Sequence, residues 1–381
     1  MVRDIISLFD FPMTSPSIFT GLYCLAFYFL LFYANYVRGF KKSLKYHVPT
    51  DVSTTAIFLI GFFMVTNCAN GDFYHMMTYV HEYDYSPGAH NYGEKVYHII
   101  GWLVGSNYLL FRIIVWGGAY LLFCLTAKRL DIKIFFVVFF LLSTYSLTFS
   151  YARATASFAI YYYGLSYLIK PLENKRLSYI IGLTIIPLSV FFHTSALLLV
   201  AVTVAILVPF RKWIVILTVI MIPVITIAMR QIFDMMLLSE NTDEYLAGKL
   251  QGYSEREVER GPARYLLNTF SYLSLYVPIV FSMITIFIKN SYKNISKDLM
   301  NLYKVAFCLT IAATSFVFMG SNYVTFFVRI LNMTMIPNTL IVTKLFRYKK
   351  MTPGMFHLCF LIGAGSQILR YLYNLYLTIV K

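Results

Sequence analysis

The stretch Ser106-Asn107-Tyr108-Leu109-Leu110-Phe111-Arg112-Ile113-Ile114-Val115-Trp116-Gly117-Gly118-Ala119-Tyr120-Leu121-Leu122-Phe123-Cys124-Leu125-Thr126-Ala127 is apolar over most of its length, ends on the basic pair Lys128-Arg129, and carries one arginine near its start. As a helix it is about 33 Å long at 1.5 Å per residue, enough to cross a hydrocarbon layer of roughly 30 Å. The same pattern recurs along the chain, near 17–37, 52–68, 133–150, 154–169, 177–191, 194–210, 213–229, 265–288, 299–319, 325–343 and 354–378. With 59% hydrophobic, 18% aromatic and only 13% charged residues among 381, a soluble core could not enclose so much apolar surface. The expected fold is therefore an all-α polytopic membrane protein of about twelve transmembrane helices. Helices 154–169, 177–191 and 194–210 are the short ones, near 22 Å, and call for tilt or a partly re-entrant course around a cavity.

Basic residues sit between the apolar stretches in a pattern that assigns sides. Alternation places Arg38 to Lys45, Lys128 to Lys133, Lys170 to Arg176, Arg211 and Lys212, Lys289 to Asp298, and Lys344 to Lys350 on one face. That face holds a large excess of Lys and Arg, whereas the other is balanced, so the first is cytoplasmic and both termini are expected outside. Two long connections, about 69–105 and 230–264, fall on the outer face, and long loops tend to carry function. The second contains Glu255, Arg256, Glu257, Glu259 and Arg260, read as a solvated surface helix that Gly261-Pro262 stops. No repeat or low-complexity linker interrupts the chain, which reads as a single integral membrane domain, 1–381. The first segment ends in a basic run and not in a small-residue cleavage site, which makes it an anchor. Cys24, Cys68, Cys124, Cys308 and Cys359 lie within or at the ends of apolar stretches, without metal-site spacing, and read as helix packing.

Arginine inside or at the edge of an apolar helix is the informative anomaly, because a charge near mid-bilayer costs about 2.5–3.5 kcal/mol on insertion scales. Arg112, Arg153 and Arg329 all fall at the outer ends of their helices, with Arg370 a weaker case. Each alone is compatible with snorkelling to lipid phosphate. Three on one face weigh against that and, if they converge, form a guanidinium cluster suited to a diphosphate, whose oxygens the planar forks match. His193 stands between two short helices on the same face. Thr194 or Ser195 is expected to cap the following helix, leaving His193 at a terminus where the dipole suits a neutral base or a phosphate donor. In the first outer loop, carboxylates alternate with aromatics in Asn70-Gly71-Asp72-Phe73-Tyr74-His75, His81-Glu82-Tyr83-Asp84 and Glu94-Lys95-Val96-Tyr97-His98. That composition suits glycan binding, with rings on pyranose faces and acids on hydroxyls, and equally suits a membrane interface. The sequence holds no phosphate-binding loop, dinucleotide fingerprint, nucleophile elbow or metal-ligand spacing, so neither cofactor nor metal is expected.

These elements, taken in order, resemble the EpsG family, membrane proteins of bacterial exopolysaccharide synthesis related in role to Wzy-type O-antigen polymerases. Gly71-Asp72-Phe73-Tyr74 resembles the family's Gly-x-Asp-Tyr element, and Glu94-x-x-Tyr97 its Glu-Pro-Gly-Tyr, with Lys95 and Val96 in place of Pro-Gly. Arg153 corresponds to the arginine of a Met-Arg-Gln segment, with Ala154 in place of the Gln. His193-Thr194-Ser195-Ala196-Leu197 is similar to a His-x-Ser-Ala-Leu signature, and Arg329 to the arginine opening a late helix. The resemblance implies a metal-independent glycosyltransferase with a GT-C-like bundle in the bacterial cytoplasmic membrane. Its donor would be an undecaprenyl-diphosphate-linked oligosaccharide and its acceptor a second lipid-linked repeat, the product being exopolysaccharide, capsule or O-antigen. It implies Arg153 and Arg329, assisted by Arg112, on the diphosphate, His193 or Asp72 as the base, and Glu94, Tyr97 and Tyr74 toward the glycan. A flippase and a chain-length regulator are further partners it allows; nucleic acid is not one. Two rival readings are a lipid-linked oligosaccharide flippase, which needs polar residues through both leaflets, and an acyltransferase acting on the same glycans. Lys304, near the cytoplasmic end of its helix, is the one charge that sits oddly in the enzyme reading.

Overall fold

The computed structural model describes residues 58, 59, 62, 95–105, 107–132, 152–209, 211–238, 296–319, 330, 333, 337, 340 and 341. Among them every regular element is helical. The expected helices at 17–37, 133–150, 265–288 and 354–378 lie outside the described residues. Two described helices, Leu110–Arg129 and Lys175–Phe192, are long and apolar enough to cross a membrane, and a third span is added if Trp213–Ile220 and Ile222–Gln231 count as one broken helix. The chain divides into two compact units, residues 1–197 with 352–381, and residues 198–351.

Among the described residues of the first unit are three long helices. Asn107 opens the first, its side-chain oxygen accepting from the Leu110 N–H at 3.1 Å. The chain then runs on through α1 (Tyr108–Arg112), a π-turn (Ile113–Gly117) and α2 (Gly118–Arg129). Asp131 closes α2 in the left-handed conformation, at φ 55°. The N–H of Ile132 reaches back to the Ala127 carbonyl at 2.8 Å and that of Asp131 to Lys128 at 3.2 Å, the paired bonds of a Schellman stop. The expected helix 106–127 is thus present, with Lys128 and Arg129 as its last turn. Phe58 and Phe62, both helical, place their rings against Tyr120 of α2, whose hydroxyl donates to the Phe58 carbonyl.

α3 (Ala152–Ile169) and α4 (Lys175–Phe192) form an antiparallel pair. Asn174 caps α4 by accepting from the Leu177 N–H at 3.2 Å. The buried face of α4 is Ser178, Gly182, Ile186 and Ser189, while Leu177, Ile180, Leu183, Leu188 and Phe191 are exposed. Small residues inside and large apolar ones outside is the reverse of a water-soluble helix and the arrangement of one in lipid. The reason is close approach: a Cβ added at Gly182 would meet the Gly164 carbonyl at 3.0 Å and the Leu168 side chain at 2.8 Å. Hydroxyls tie both ends of the pair, Ser178 donating to the Tyr167 carbonyl and Ser157 to the Ser189 carbonyl at 2.8 Å.

One further helix, Lys95–Leu103, lies within the 69–105 stretch that the sequence reading treats as loop. It stops at Gly105, whose φ of 57° a glycine adopts without strain. Its nine residues are too few to read as a span, which hides it from a search for apolar runs of membrane length. Ile99, Trp102 and Leu103 face outward and Tyr97 inward, a division of faces suited to a helix lying along an apolar boundary.

In the second unit, α5 (Ala196–Val202) passes into a 3-10 turn (Thr203–Ile206), followed by α6 (Lys212–Ile220), α7 (Ile222–Leu238) and α8 (Lys297–Met319). The single span expected at 213–229 is bent by 47° between Ile220 and Ile222, because Pro223 cannot donate to the preceding turn. α7 also continues through Leu238, so the segment read as an outer loop from Arg230 begins as helix. Thr226 of α7 donates to the Ser315 carbonyl of α8 at 3.5 Å. Lys304 has a structural use: its ammonium donates to the Ile206 carbonyl at 2.8 Å, capping the 3-10 turn. Ile330, Met333, Pro337, Leu340 and Ile341 are helical and buried, at the spacing of one helix face.

Candidate functional site

Four of the eight candidate residues lie in the described part, Tyr97, Arg112, Arg153 and His193; Asp72, Tyr74, Glu94 and Arg329 lie outside it. The four come together at one end of the first unit, and Tyr97 is the joint. Its hydroxyl donates to the backbone carbonyl of Arg153 at 3.1 Å. Its ring meets Phe192, the neighbour of His193, edge to face at 5.9 Å between centroids. The same ring lies 6.5 Å from Phe111, the neighbour of Arg112. One aromatic side chain therefore reaches the backbone or the adjoining residue of all three other candidates.

Tyr97 itself is 0% exposed. No face of its ring is open here for the stacking on a sugar that the sequence suggests. Burying a ring of this size contributes about 2–3 kcal/mol, with about 1 kcal/mol more for the hydroxyl bond. That is enough to fix the short helix Lys95–Leu103 against the ends of α1, α3 and α4.

Arg112 is 1% exposed. A guanidinium so enclosed does not snorkel to lipid headgroups, the alternative that its position near a helix end leaves open. The π-turn beginning at Ile113 supplies a local cause: a wider turn shifts the angular register of everything before it, and such turns often occur at functional sites. Gly117-Gly118 inside an apolar helix is the one sequence sign of it. Arg153 lies in the first turn of α3, half-buried, with its Nε enclosed.

His193 ends α4. Its backbone is extended, at φ −164° and ψ 131°, and its N–H bonds the Ser189 carbonyl at 3.3 Å. The turn into α5 is made by backbone, with Ala196 N–H donating to the His193 carbonyl and Leu197 N–H to Thr194. Ser195 does not provide the expected cap. Its Oγ is shut from solvent without a hydrogen bond among the described residues. Ser157, four residues after Arg153, and Ser189, four residues before His193, lock the two helix ends that carry Arg153 and His193, through Ser157 Oγ donating to the Ser189 carbonyl.

An arrangement of two arginines and a histidine at one helix-bundle end can neutralise an anion and accept a proton. No group of His, Cys, Asp and Glu able to hold a metal occurs among the described residues. No curated protein and no solved structure matches the chain. The sequence model of the EpsG family matches residues 51–376, a span that contains every candidate residue, and the chain belongs to the EpsG family, a membrane protein related to exopolysaccharide synthesis.

Proposed function

We propose that the protein is a polysaccharide polymerase of GT-C-like, twelve-helix architecture, joining undecaprenyl-diphosphate-linked repeat units at the outer face of the bacterial cytoplasmic membrane. The observation that carries this reading is the convergence of Arg112, Arg153 and His193 around Tyr97 in a chain of this family. In the reaction, an acceptor sugar hydroxyl attacks the anomeric carbon of the donor glycan. The carbon–oxygen bond to the diphosphate breaks, undecaprenyl diphosphate leaves, and the acceptor proton passes to His193 or Asp72. Arg153 and Arg329, with Arg112, hold the diphosphate as its charge develops, a role for fixed cations that accounts for large rate effects. Glu94 and Tyr74 take the glycan, and Tyr97 positions the site from behind.

The test is deletion in the native host, with complementation by wild type, Arg153→Ala and Arg329→Ala, reading lipid-linked and surface glycans on gels. The expected outcome is accumulation of single repeat units at the outer face and loss of the ladder in the deletion and in both variants, each variant expressed and inserted normally. Repeat units held at the cytoplasmic face would favour a flippase. Chains of unchanged length that lack acyl groups would favour an acyltransferase.

A further inference from the structure

Six buried hydroxyls in the described helices share one habit: they donate to a backbone carbonyl. Thr126 bonds Leu122, Ser157 bonds Ser189, Ser166 bonds Tyr163 and Ser178 bonds Tyr167. Ser189 bonds Ile186, and Ser315 bonds Ile311. In an apolar medium this is the expected behaviour, since an enclosed hydroxyl without a partner loses the whole of its solvation. Ser195 breaks the habit. Among the described residues its Oγ is the one hydroxyl that is shut from solvent and makes no hydrogen bond.

The exception stands where the chemistry is expected. Ser195 follows His193 by two residues, in the turn between α4 and α5, and not inside a helix where a carbonyl four residues back is within reach. The break is at the end of α4 that Phe192 and Tyr97 join to Arg153 and Arg112. A hydroxyl kept without a protein partner, beside a histidine and at the arginine end of the bundle, is suited to donate to an anionic oxygen brought by a ligand.

We propose that Ser195 is a substrate-binding residue, its hydroxyl donating to a phosphate oxygen of the lipid-linked diphosphate. This rests on the polymerase reading for the identity of the ligand, but not for the observation that the buried hydroxyl makes no hydrogen bond among the described residues. A hydrogen bond to a charged group that is lost on truncation weakens binding by about ten- to a hundredfold. The protein without ligand behaves in the opposite sense: removing an unsatisfied buried hydroxyl raises its thermal midpoint or leaves it unchanged.

The experiment uses the full-length protein in detergent, as wild type, Ser195→Ala and Ser195→Thr. Three quantities are read: binding of undecaprenyl diphosphate, the thermal midpoint without it, and chain elongation on lipid-linked repeats. The expected result is weaker diphosphate binding in Ser195→Ala by about tenfold or more, an unlowered midpoint, and recovery of binding in Ser195→Thr. Ser195→Ala that binds like wild type overturns the proposal, as does a lowered midpoint with binding of the remaining folded protein unchanged. Wild-type protein that does not bind the diphosphate overturns it as well. Wild-type protein that binds the diphosphate but does not elongate chains removes the polymerase reading and leaves the Ser195 comparison intact.

Discussion

Arg129 and Arg153 lie at opposite ends of α3 and show two uses of the same side chain. Arg129, on α2, has its bonds inside the protein: Nε donates to Ser166 Oγ at 3.1 Å, a terminal nitrogen to the Lys170 carbonyl at 2.9 Å, and the guanidinium lies 3.6 Å above the Tyr167 ring. Around it Lys170 pairs with Asp131, the Tyr163 and Tyr167 hydroxyls bond each other, and Ser178 links Tyr167 to Leu172. That end is a closed network which fixes how α2, α3 and α4 meet. At the Arg153 end the contacts come from an added short helix through Tyr97, His193 interrupts the chain, and Ser195 keeps an unbonded hydroxyl. The lesson is that charge at a helix end says little until its partners are known. A guanidinium bonded to carbonyls and stacked on a ring, as at Arg129, serves the fold, and the proposed ligand role belongs to the end where a buried hydroxyl makes no hydrogen bond among the described residues.

Four substitutions would break or sharpen this contrast. Arg153→Ala is expected to reduce chain elongation by about a hundredfold or more while the thermal midpoint changes little. Arg129→Ala is expected to do the reverse. It should cost about 1–3 kcal/mol of stability, through the hydrogen bonds and the stacked ring, with elongation per folded molecule near wild type, measured by denaturation and activity on the same sample. Gly182→Ala, which drives a methyl against the Gly164 carbonyl, is expected to cost about 1–3 kcal/mol. Its effect should be equal at both ends, because it separates α3 from α4 at mid-length. Tyr97→Phe removes only the bond to the Arg153 carbonyl and should lower turnover a few-fold, about 1 kcal/mol in the barrier. A larger loss of turnover from Arg129→Ala than from Arg153→Ala would reverse the assignment of the two ends.

Much of this was legible in the sequence because lipid imposes a simple code. The helix opened by Asn107 and the pair α3 and α4 could be read to within a few residues, since apolar length and basic punctuation mark both ends. Arg112, Arg153 and His193 were legible as anomalies, a cost in an apolar setting that needs a reason. What stayed hidden depends on turns and on tertiary contact. The helix Lys95–Leu103 is too short for a hydropathy reading, and Tyr97 looked like a sugar-stacking residue because burial is not written in composition. The bend before Pro223 was available from the proline itself. The capping role given to Thr194 or Ser195 followed a sound local preference, but the chain closes that turn with backbone bonds from Ala196 and Leu197, and the Ser195 hydroxyl makes no hydrogen bond among the described residues.

The central claim, that the Arg153 end does chemistry and the Arg129 end holds the fold, is tested most directly by elongation of lipid-linked repeats with purified wild type, Arg153→Ala and Arg129→Ala at equal amounts of folded protein. The account predicts a full ladder from wild type and Arg129→Ala and single repeat units alone from Arg153→Ala. A full ladder from Arg153→Ala would contradict it.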